Sequence, residues 1–317
     1  MGIDGISNTS VYPTLWQGAQ PILLPLPVGQ QGDAQSINNA GDAVGLVYTL
    51  GPNTDERPAL WHNGQLQLLS TLNQSSGAAA AINNAGFIAG SVSTNVGPNT
   101  TSQAILWTPT GQPTLLTNLP NTQAFATAIN NNNQVLTVAS SATGVTTSIW
   151  SNNTSSLIPD LGDNTLAGHA INDLGHVAGA AVQDNVTVAF LYKEGTTAAL
   201  PGLPGGSYAE AMGINDSDEI VGFGDNSTGD SVAILWQDGS PINLNDLIPA
   251  NTGWQLFQAN AITDDGSILG NGLFNGQATP FLLTPTTTSS TSSLPTPEPA
   301  TICLLGIAIP LLLKRRH

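Results

Sequence analysis

The sequence predicts an all-β fold, a repeat β-propeller of about six four-stranded blades. Three observations support this: a recurring dipeptide, an aromatic residue that follows each copy, and apolar runs of only four to six residues. The dipeptide is Ile-Asn, once Ile-Thr, and its copies begin 45, 47, 42, 43 and 48 residues apart. They start at Ile37, Ile82, Ile129, Ile171, Ile214 and Ile262. Four short strands in a period of this length are typical of a propeller blade.

The residues around each dipeptide predict two strands joined by a tight turn. The shared pattern is Ala-x-x-Ile-Asn-Asn/Asp-x-Gly-x-Val/Ile-x-Gly. Asn and Asp side chains bond nearby backbone N–H groups, and glycine accepts a positive φ, so we interpret these residues as turn builders and not as ligands. They are Asn38, Gly41, Asn83, Gly86, Asn172, Gly175, Asn215 and Gly266. The third copy has Asn132-Asn133-Gln134 here and Thr137 at the motif's end, which predicts an irregular hairpin.

The aromatic residue predicts the end of a third strand. It follows an aliphatic residue in most copies, and the pairs are Leu60-Trp61, Leu106-Trp107, Ile149-Trp150, Leu191-Tyr192, Leu235-Trp236 and Phe281-Leu282. A Gly or Asn turn and an apolar stretch come next and predict the fourth strand. A single blade leaves both faces partly bare, so we expect the tryptophans to pack against neighbouring blades.

The two ends of the repeat region predict how the propeller closes. The last unit stops after Phe281-Leu282-Leu283, whereas the N-terminal region has an unmatched Leu15-Trp16 and Ile22 to Leu24. We expect an N-terminal strand to complete the last blade of a six-bladed ring. The surplus strand leaves a seventh, truncated blade as an alternative, and an open β-solenoid is the second architectural alternative.

Charge excludes one class of partner. Of the five basic residues three lie at the C-terminus, which leaves Arg57 and Lys193 in the body of a chain with a net charge of −16. Nucleic acid is therefore excluded as a partner. Neutral glycans, proteins or cation-bridged contacts are favoured, because an acidic body repels anionic polymers. The only cysteine, Cys303, lies near the C-terminus, so the body forms no disulfide.

The C-terminal region has the pattern of a segment that determines where the protein is located. A Thr/Ser/Pro linker, residues 284–296, follows the propeller, residues 1–283, and leads to Pro297-Glu298-Pro299. An apolar run ending at Leu313 and the basic triplet Lys314, Arg315 and Arg316 then predict a short transmembrane helix with a cationic stop on the cytoplasmic side. Pro310 interrupts this run, which is shorter than the ~30 Å hydrocarbon core requires. A buried C-terminal helix is the alternative.

Residues 297–317 resemble the PEP-CTERM sorting signal of Gram-negative bacteria that make exopolysaccharide. Pro297-Glu298-Pro299 matches the motif of that family. The resemblance implies an exported protein, anchored in the inner membrane by its C-terminal helix until an exosortase-type enzyme cleaves near the motif and leaves the body secreted or at the cell surface. Met1-Gly2-Ile3 begins no signal peptide, so we expect the first part of the natural protein to be missing from this sequence.

The repeats themselves resemble HAF repeats of extracellular bacterial proteins. The similarity is strongest from Leu244 to Pro249, at Gly253-Trp254, from Ala261 to Gly266 and from Phe281 to Pro285. This resemblance implies an extracellular setting and a repeat architecture, and it implies no defined activity.

The chain contains no nucleophile elbow, phosphate loop or cysteine cluster, and we assign no catalytic residue and no cofactor. We expect a non-enzymatic surface or extracellular-matrix protein that binds exopolysaccharide or surface proteins. A glycan-active enzyme centred on the fourth unit is one alternative, and a calcium-stabilised adhesion module is the other. The candidate enzyme residues are Asp160, Asp163, His169, Asp173 and His176, and the weak calcium candidates are Asp216, Asp218, Asp264 and Asp265.

Overall fold

The protein is a six-bladed β-propeller whose blades follow a four-strand plan, as the repeat predicts. The structure, a computed structural model, describes residues 11–17, 20–50, 55–96, 99–116 and 123–285. Pro297-Glu298-Pro299, the predicted transmembrane helix and Lys314, Arg315 and Arg316 lie outside these residues. Within them, no helix is long and apolar enough to cross a membrane.

The first half of the described chain contains a hairpin and three blades. The hairpin is β1 (Thr14–Gln17) and β2 (Gln20–Leu23). Blade 1 contains β3 (Gln31–Ile37), β4 (Ala43–Tyr48), β5 (Arg57–His62) and β6 (Gln65–Leu68). Blade 2 contains β7 (Ser76–Ile82), β8 (Ile88–Val96), β9 (Asn99–Trp107) and β10 (Pro113–Leu115). Blade 3 contains β11 (Gln123–Ile129), β12 (Val135–Ser141), β13 (Gly144–Ser151) and β14 (Thr154–Leu157).

The second half contains the remaining three blades. Blade 4 contains β15 (Leu166–Ile171), β16 (Val177–Gln183), β17 (Val186–Lys193) and β18 (Thr196–Ala199). Blade 5 contains β19 (Ala209–Ile214), β20 (Ile220–Asp225), β21 (Ser231–Gln237) and β22 (Ser240–Asn243), followed by a 3-10 turn at Leu244–Asp246. Blade 6 contains β23 (Trp254–Ile262), β24 (Ile268–Phe274) and β25 (Gln277–Leu283).

Consecutive strands of each blade lie side by side, so the sheet order follows the chain order. The first strand of every blade contains a β-bulge a few residues before the turn, for example between Ala79 and Ala81 in blade 2. A bulge inserts one extra residue and bends the strand locally. The repeat therefore places at least one irregular position in the first strand of all six blades, and blade 6 has two.

The chain divides into two compact units, and the boundary passes through blade 4. One unit contains the chain up to Asn185 together with Leu191–Ala198, and the other contains Val186–Phe190 and the chain from Ala199 onward. Each unit buries apolar side chains between neighbouring blades. In the first, Val44 of blade 1 packs in one cluster with Ile88 and Trp107 of blade 2. In the second, Leu235 of blade 5 packs with Phe281 of blade 6.

Three of the repeat tryptophans are buried, and each donates a hydrogen bond to the segment that precedes its blade. Trp61, Trp107 and Trp236 are at most 1% exposed. Their Nε1 atoms donate to the carbonyl oxygens of Pro25, Ser70 and Pro201, at 2.9, 2.8 and 2.8 Å respectively. Each acceptor lies just after an outer strand or, for Pro25, after the N-terminal hairpin. Trp107 packs in one cluster with Val44 of blade 1, as the repeat pattern predicts, whereas Trp61 packs with its own blade and the N-terminal hairpin.

The N-terminal segment departs from the expected closure. Within the described residues the sheet of blade 6 has three strands, while β1 and β2 form a two-stranded sheet of their own. Leu15 and Leu24 of this hairpin pack against Trp61 of blade 1. Within the described residues, the prediction that the strand at Leu15-Trp16 or the one at Ile22 to Leu24 completes the last sheet is therefore wrong. Leu15 and Trp16 lie in β1, which pairs with the strand that follows it, β2.

Candidate functional site

Five of the six repeat turns are built around the side chain of their first asparagine, and the sixth has Thr263 at this position. In blade 2, Oδ1 of Asn83 accepts hydrogen bonds from the backbone N–H groups of Ala85 at 3.1 Å and Phe87 at 3.0 Å. The backbone closes the same turn, because Gly86 N–H donates to the Asn83 carbonyl at 3.0 Å. Gly86 has a φ of 81°, a region that glycine enters at little cost. The asparagine is only 3% exposed, so the turn excludes water from its centre.

The third turn is regular, contrary to the irregular hairpin that its sequence predicts. Asn130 accepts from Asn132 N–H at 3.1 Å and from Gln134 N–H at 2.9 Å. Asn133 occupies the glycine position with a φ of 59°. Asparagine is one of the few residues with a side chain that tolerate this conformation, so the turn survives the replacement.

The same asparagines also connect neighbouring blades. Nδ2 of four of them donates to the backbone carbonyl of the equivalent residue in the next turn. The pairs are Asn38 to Asn83 at 3.3 Å, Asn83 to Asn130 at 3.0 Å, Asn130 to Asn172 at 2.8 Å and Asn215 to Thr263 at 3.2 Å. These four side chains therefore fix the turn and the blade spacing together.

A second row of contacts runs beside the first. In four turns the residue after the turn asparagine donates its backbone N–H to the side-chain oxygen of the corresponding residue in the next turn. The pairs are Asn39 to Asn84 at 2.9 Å, Asn84 to Asn131 at 3.0 Å, Asn131 to Asp173 at 2.8 Å and Asp216 to Asp264 at 2.9 Å. Every copy has Asn or Asp at this position. This recurrence could have predicted the contact between turns, but it is visible only when the copies are compared with one another.

A substitution at Gly41 tests the turn backbone alone. A Cβ at this position would meet no atom within 4 Å, and its φ is 83°. We therefore expect Gly41→Ala to lower the free energy of unfolding by about 1–2 kcal/mol through backbone strain. Urea denaturation measures this. Gly202→Ala is the matched control, since its added Cβ also meets nothing and its φ is not in the left-handed region. Equal effects of the two substitutions would contradict the strain argument.

The carboxylates predicted for an enzyme site in blade 4 lie at opposite ends of β15. Asp160 accepts from Gly162 N–H at 3.1 Å, and Asp163 accepts from Asn185 N–H at 3.2 Å, both before the strand. Asp173 follows the strand and receives the blade 3 contact described above. The six residues of β15 separate these groups by roughly 20 Å.

The two histidines of blade 4 occupy different kinds of position. His176 is 8% exposed and follows the turn, where its N–H donates to Oδ1 of Asn172 at 2.9 Å. His169 is the bulge residue of β15, between the paired Gly168 and Ala170. The structure thus distributes the five predicted residues over the two ends and the middle of one strand.

The calcium candidates are partly engaged in the turn contacts. Asp264 receives the N–H of Asp216, and Asp218 occupies the glycine position of the fifth turn with a φ of 60°. In the described ranges no three His, Cys, Asp or Glu side chains are grouped so as to hold a metal ion.

A cavity of about 210 Å³ lies between blades 5 and 6 at the turns. We call it the acidic cavity. One part of its wall is apolar and is formed by Leu235, Leu247, Ile262, Ile268 and Pro285. The other part has three carboxylates, which belong to Glu219, Asp264 and Asp265. The sequence indicates Asp264 and Asp265 as acidic turn residues but does not predict the cavity, because the wall combines residues from two repeats.

The carboxylates of the acidic cavity are held in place by neutral donors. Glu219 accepts from Nδ2 of Asn215 at 2.8 Å and from Nε2 of Gln237 at 3.0 Å. The hydrogen bond from the Thr263 hydroxyl, followed by that from Ser267 N–H, lowers the pKa of Asp265 below its usual value. Between residues 199 and 285 the sequence has no Lys or Arg. The cavity therefore has a negative potential that no Lys or Arg side chain of residues 199–285 offsets.

Asp225 is a buried carboxylate outside the acidic cavity, and its hydrogen bonds have a structural role. It is 8% exposed and accepts from Ser207 N–H and Oγ, both at 2.6 Å, and from Tyr208 N–H at 2.9 Å. The Ser207 hydroxyl bond and then the Tyr208 N–H bond lower the pKa of Asp225. Asp225 thus fixes the segment that enters β19.

Stability should depend on pH through Asp225. A lowered pKa in the folded state stabilises the protein above the unfolded-state pKa of about 3.9, and this contribution is lost as pH falls through the folded-state value. We expect Asp225→Asn to cost about 1–2 kcal/mol at pH 7 and progressively less below about pH 4. Urea denaturation of both proteins across this range measures the difference. If the difference in free energy of unfolding between the two proteins stayed constant with pH, the pH dependence could not be assigned to Asp225.

Comparisons with known proteins agree with the fold. No protein-family model and no curated protein sequence matches the chain. Among solved structures, the β-propeller domain of the Trilobed protease from Pyrococcus furiosus is similar with a TM-score of 0.55 and 11% identity, over 79% of this chain and 82% of that one. The acylaminoacyl peptidase of Pyrococcus horikoshii is similar with a TM-score of 0.51 and 12% identity, over 79% of this chain and 44% of that one. At these identities the similarity establishes the β-propeller fold and no activity.

Proposed function

We propose that the protein is a non-enzymatic, exported β-propeller that binds glycan or protein partners at the cell surface or in the extracellular matrix. The observation that carries the binding role is the acidic cavity, a concave site with an apolar wall and carboxylates on a single unit. Concave sites that combine an apolar wall with a few polar groups are the usual form of a binding site.

The contacts between turns support a binding scaffold. The asparagine side chains connect successive turns within each unit, so the loops around them are held by side chains as well as by strands. A scaffold of this kind presents its surface residues in fixed positions, which reduces the entropy lost when a partner binds.

The C-terminal residues support the proposed location. Pro297-Glu298-Pro299 followed by an apolar run and Lys314-Arg315-Arg316 resembles the PEP-CTERM arrangement of exosortase substrates. In this proposal the C-terminal segment anchors the protein in the inner membrane, the exosortase-type enzyme cleaves near the motif, and the propeller reaches the exterior.

Retention by cell-surface material tests the binding role. The full chain is incubated with the surface material of an exosortase-bearing, exopolysaccharide-producing bacterium, after that material has been treated with polysaccharide-degrading enzymes, with a protease or with neither. We expect retention by untreated material and its loss after one of the treatments, which identifies the class of partner. Absence of retention by untreated material would contradict the proposal.

A further inference from the structure

The acidic cavity combines two kinds of surface that few ligands match. Its apolar part includes Leu235 and Ile268, which are 2% and 3% exposed and belong to the cores of blades 5 and 6. Its polar part carries only acceptors with negative charge, from Glu219, Asp264 and Asp265. A ligand that fills this site therefore needs an aliphatic portion and a cationic group.

The volume of the cavity limits the ligand further. At about 210 Å³ it is smaller than the roughly 300–1,000 Å³ of sites for drug-sized molecules. It has room for one long side chain and not for an oligosaccharide. No aromatic side chain forms part of its wall, so it offers a sugar ring no flat apolar face.

The carboxylates are arranged for a cationic group of low charge density and not for a metal ion. Both oxygens of Glu219 already accept amide hydrogens, and the described residues contain no group of three metal-binding side chains. Oδ1 of Asp264 accepts the N–H of Asp216, and Oδ1 of Asp265 accepts from Thr263 and Ser267. Each aspartate has a second oxygen that can accept from an ammonium or guanidinium group.

We infer that the acidic cavity binds one lysine or arginine side chain of a partner protein, with the aliphatic stem on Leu247, Ile262 and Pro285 and the cationic head at Asp264 and Asp265. The inference rests on the proposed binding role and gives it a partner class. It favours a protein partner over a glycan. The charge of the cavity and the absence of Lys and Arg from residues 199–285 make a basic partner segment complementary to it.

A pair of pentapeptides tests the inference on the full chain. One is acetyl-Ala-Ala-Lys-Ala-Ala-amide, and the other has norleucine in place of lysine, which keeps the aliphatic stem and removes the charge. Binding is followed through the backbone amide NMR signals of Gly266 and Ile268. We expect saturable shifts with the lysine peptide in the millimolar range, typical of a single-side-chain contact, and none with the norleucine peptide.

Two variants with the same change in charge distinguish the site from a general electrostatic effect. Asp264→Asn removes a carboxylate of the cavity and keeps an oxygen for the Asp216 N–H, whereas Asp216→Asn makes the same change at the equivalent position of the preceding turn, outside the cavity wall. We expect Asp264→Asn to weaken binding about two- to fivefold and Asp216→Asn to leave it unchanged. If Asp264→Asn does not fold, Asp265→Asn takes its place, since that carboxylate also lines the cavity.

Four results would overturn the inference. These are no saturable shift with the lysine peptide up to about 20 mM, equal binding of the norleucine peptide, equal weakening by the two variants, or the same shifts with Ca²⁺ and none with the lysine peptide. The proposed function fails separately, because it predicts retention by whole surface material whatever the cavity binds. Retention without lysine binding would reject the inference and keep the function.

Discussion

Replacing Trp107 with alanine should lower the free energy of unfolding by about 3–5 kcal/mol, the cost typical of removing a buried tryptophan from a core. The ring is completely buried and packs with Val44 of blade 1 and Ile88 of its own blade. Its Nε1 donates to the Ser70 carbonyl, so the substitution also leaves that acceptor without its partner. Urea denaturation of the two proteins gives the difference.

Two further variants separate the parts of this effect. Trp107→Phe keeps most of the buried ring and removes the donor, and we expect it to cost about 1–3 kcal/mol. Trp16→Ala changes the same motif in the N-terminal hairpin, where the ring is 54% exposed, and should cost less than about 1 kcal/mol. A cost at Trp107 no larger than at Trp16 would contradict the interblade role of the repeat tryptophans.

Replacing Asn83 with alanine should cost about 3–4 kcal/mol. The side chain makes four hydrogen bonds from a buried position, two within its turn and two to blade 3 through Asn130 and Asn133. Loss of each leaves a polar group of the turn or of the next blade without a partner, at about 1 kcal/mol or more apiece. Equilibrium unfolding measures the total.

Asn83→Asp separates the turn from the blade contact. An aspartate keeps the oxygen that accepts from Ala85 and Phe87 and loses the Nδ2 donor to the next blade. We expect it to cost about 2 kcal/mol, more than the exposed control Asn39→Ala, since Asn39 contributes only its backbone N–H to the contacts between turns. If Asn83→Asp left stability unchanged, the turns would be held by their own blades alone.

Local rules of sequence explain why so much of the fold could be predicted. The strand that ends at Ile82, the turn around Asn83 and the strand that ends at Trp107 each carry their own short pattern, and six copies repeat it. A hairpin turn depends on neighbours within five residues, so one copy is enough to predict it. The burial of Trp107 could be predicted from the repeat, because contact between blades explains why an aromatic residue recurs at the same position of successive copies.

The closure and the third turn could not be predicted for different reasons. Leu15-Trp16 repeats the third-strand motif and pairs with Gln20–Leu23, but the motif does not say which sheet, if any, these two strands join. At Asn133 the sequence lacks the expected glycine, and the geometry persists because asparagine tolerates a positive φ.

The candidate site was the feature that could least be predicted from the sequence. Asp264 and Asp265 were visible as acidic turn residues, and Leu235 as part of a strand motif, yet their common cavity depends on how blade 5 packs against blade 6. The link from Asp216 N–H to Asp264 joins residues 48 positions apart. Distances of this kind follow from the assembled blades and not from any single repeat.

The central claim, an exported propeller processed at its C-terminus, is tested most directly by the C-terminal mass. The full chain is placed behind a bacterial signal peptide, produced in an exosortase-bearing host and recovered from medium and membranes. Glu298→Ala in the motif and Thr291→Ala in the linker are the matched variants. We predict a mass that ends near Pro297-Glu298-Pro299 for the wild type and Thr291→Ala, and an uncleaved chain for Glu298→Ala or in a host without exosortase. A wild-type chain that remains intact to His317 in the exosortase-bearing host would contradict the account.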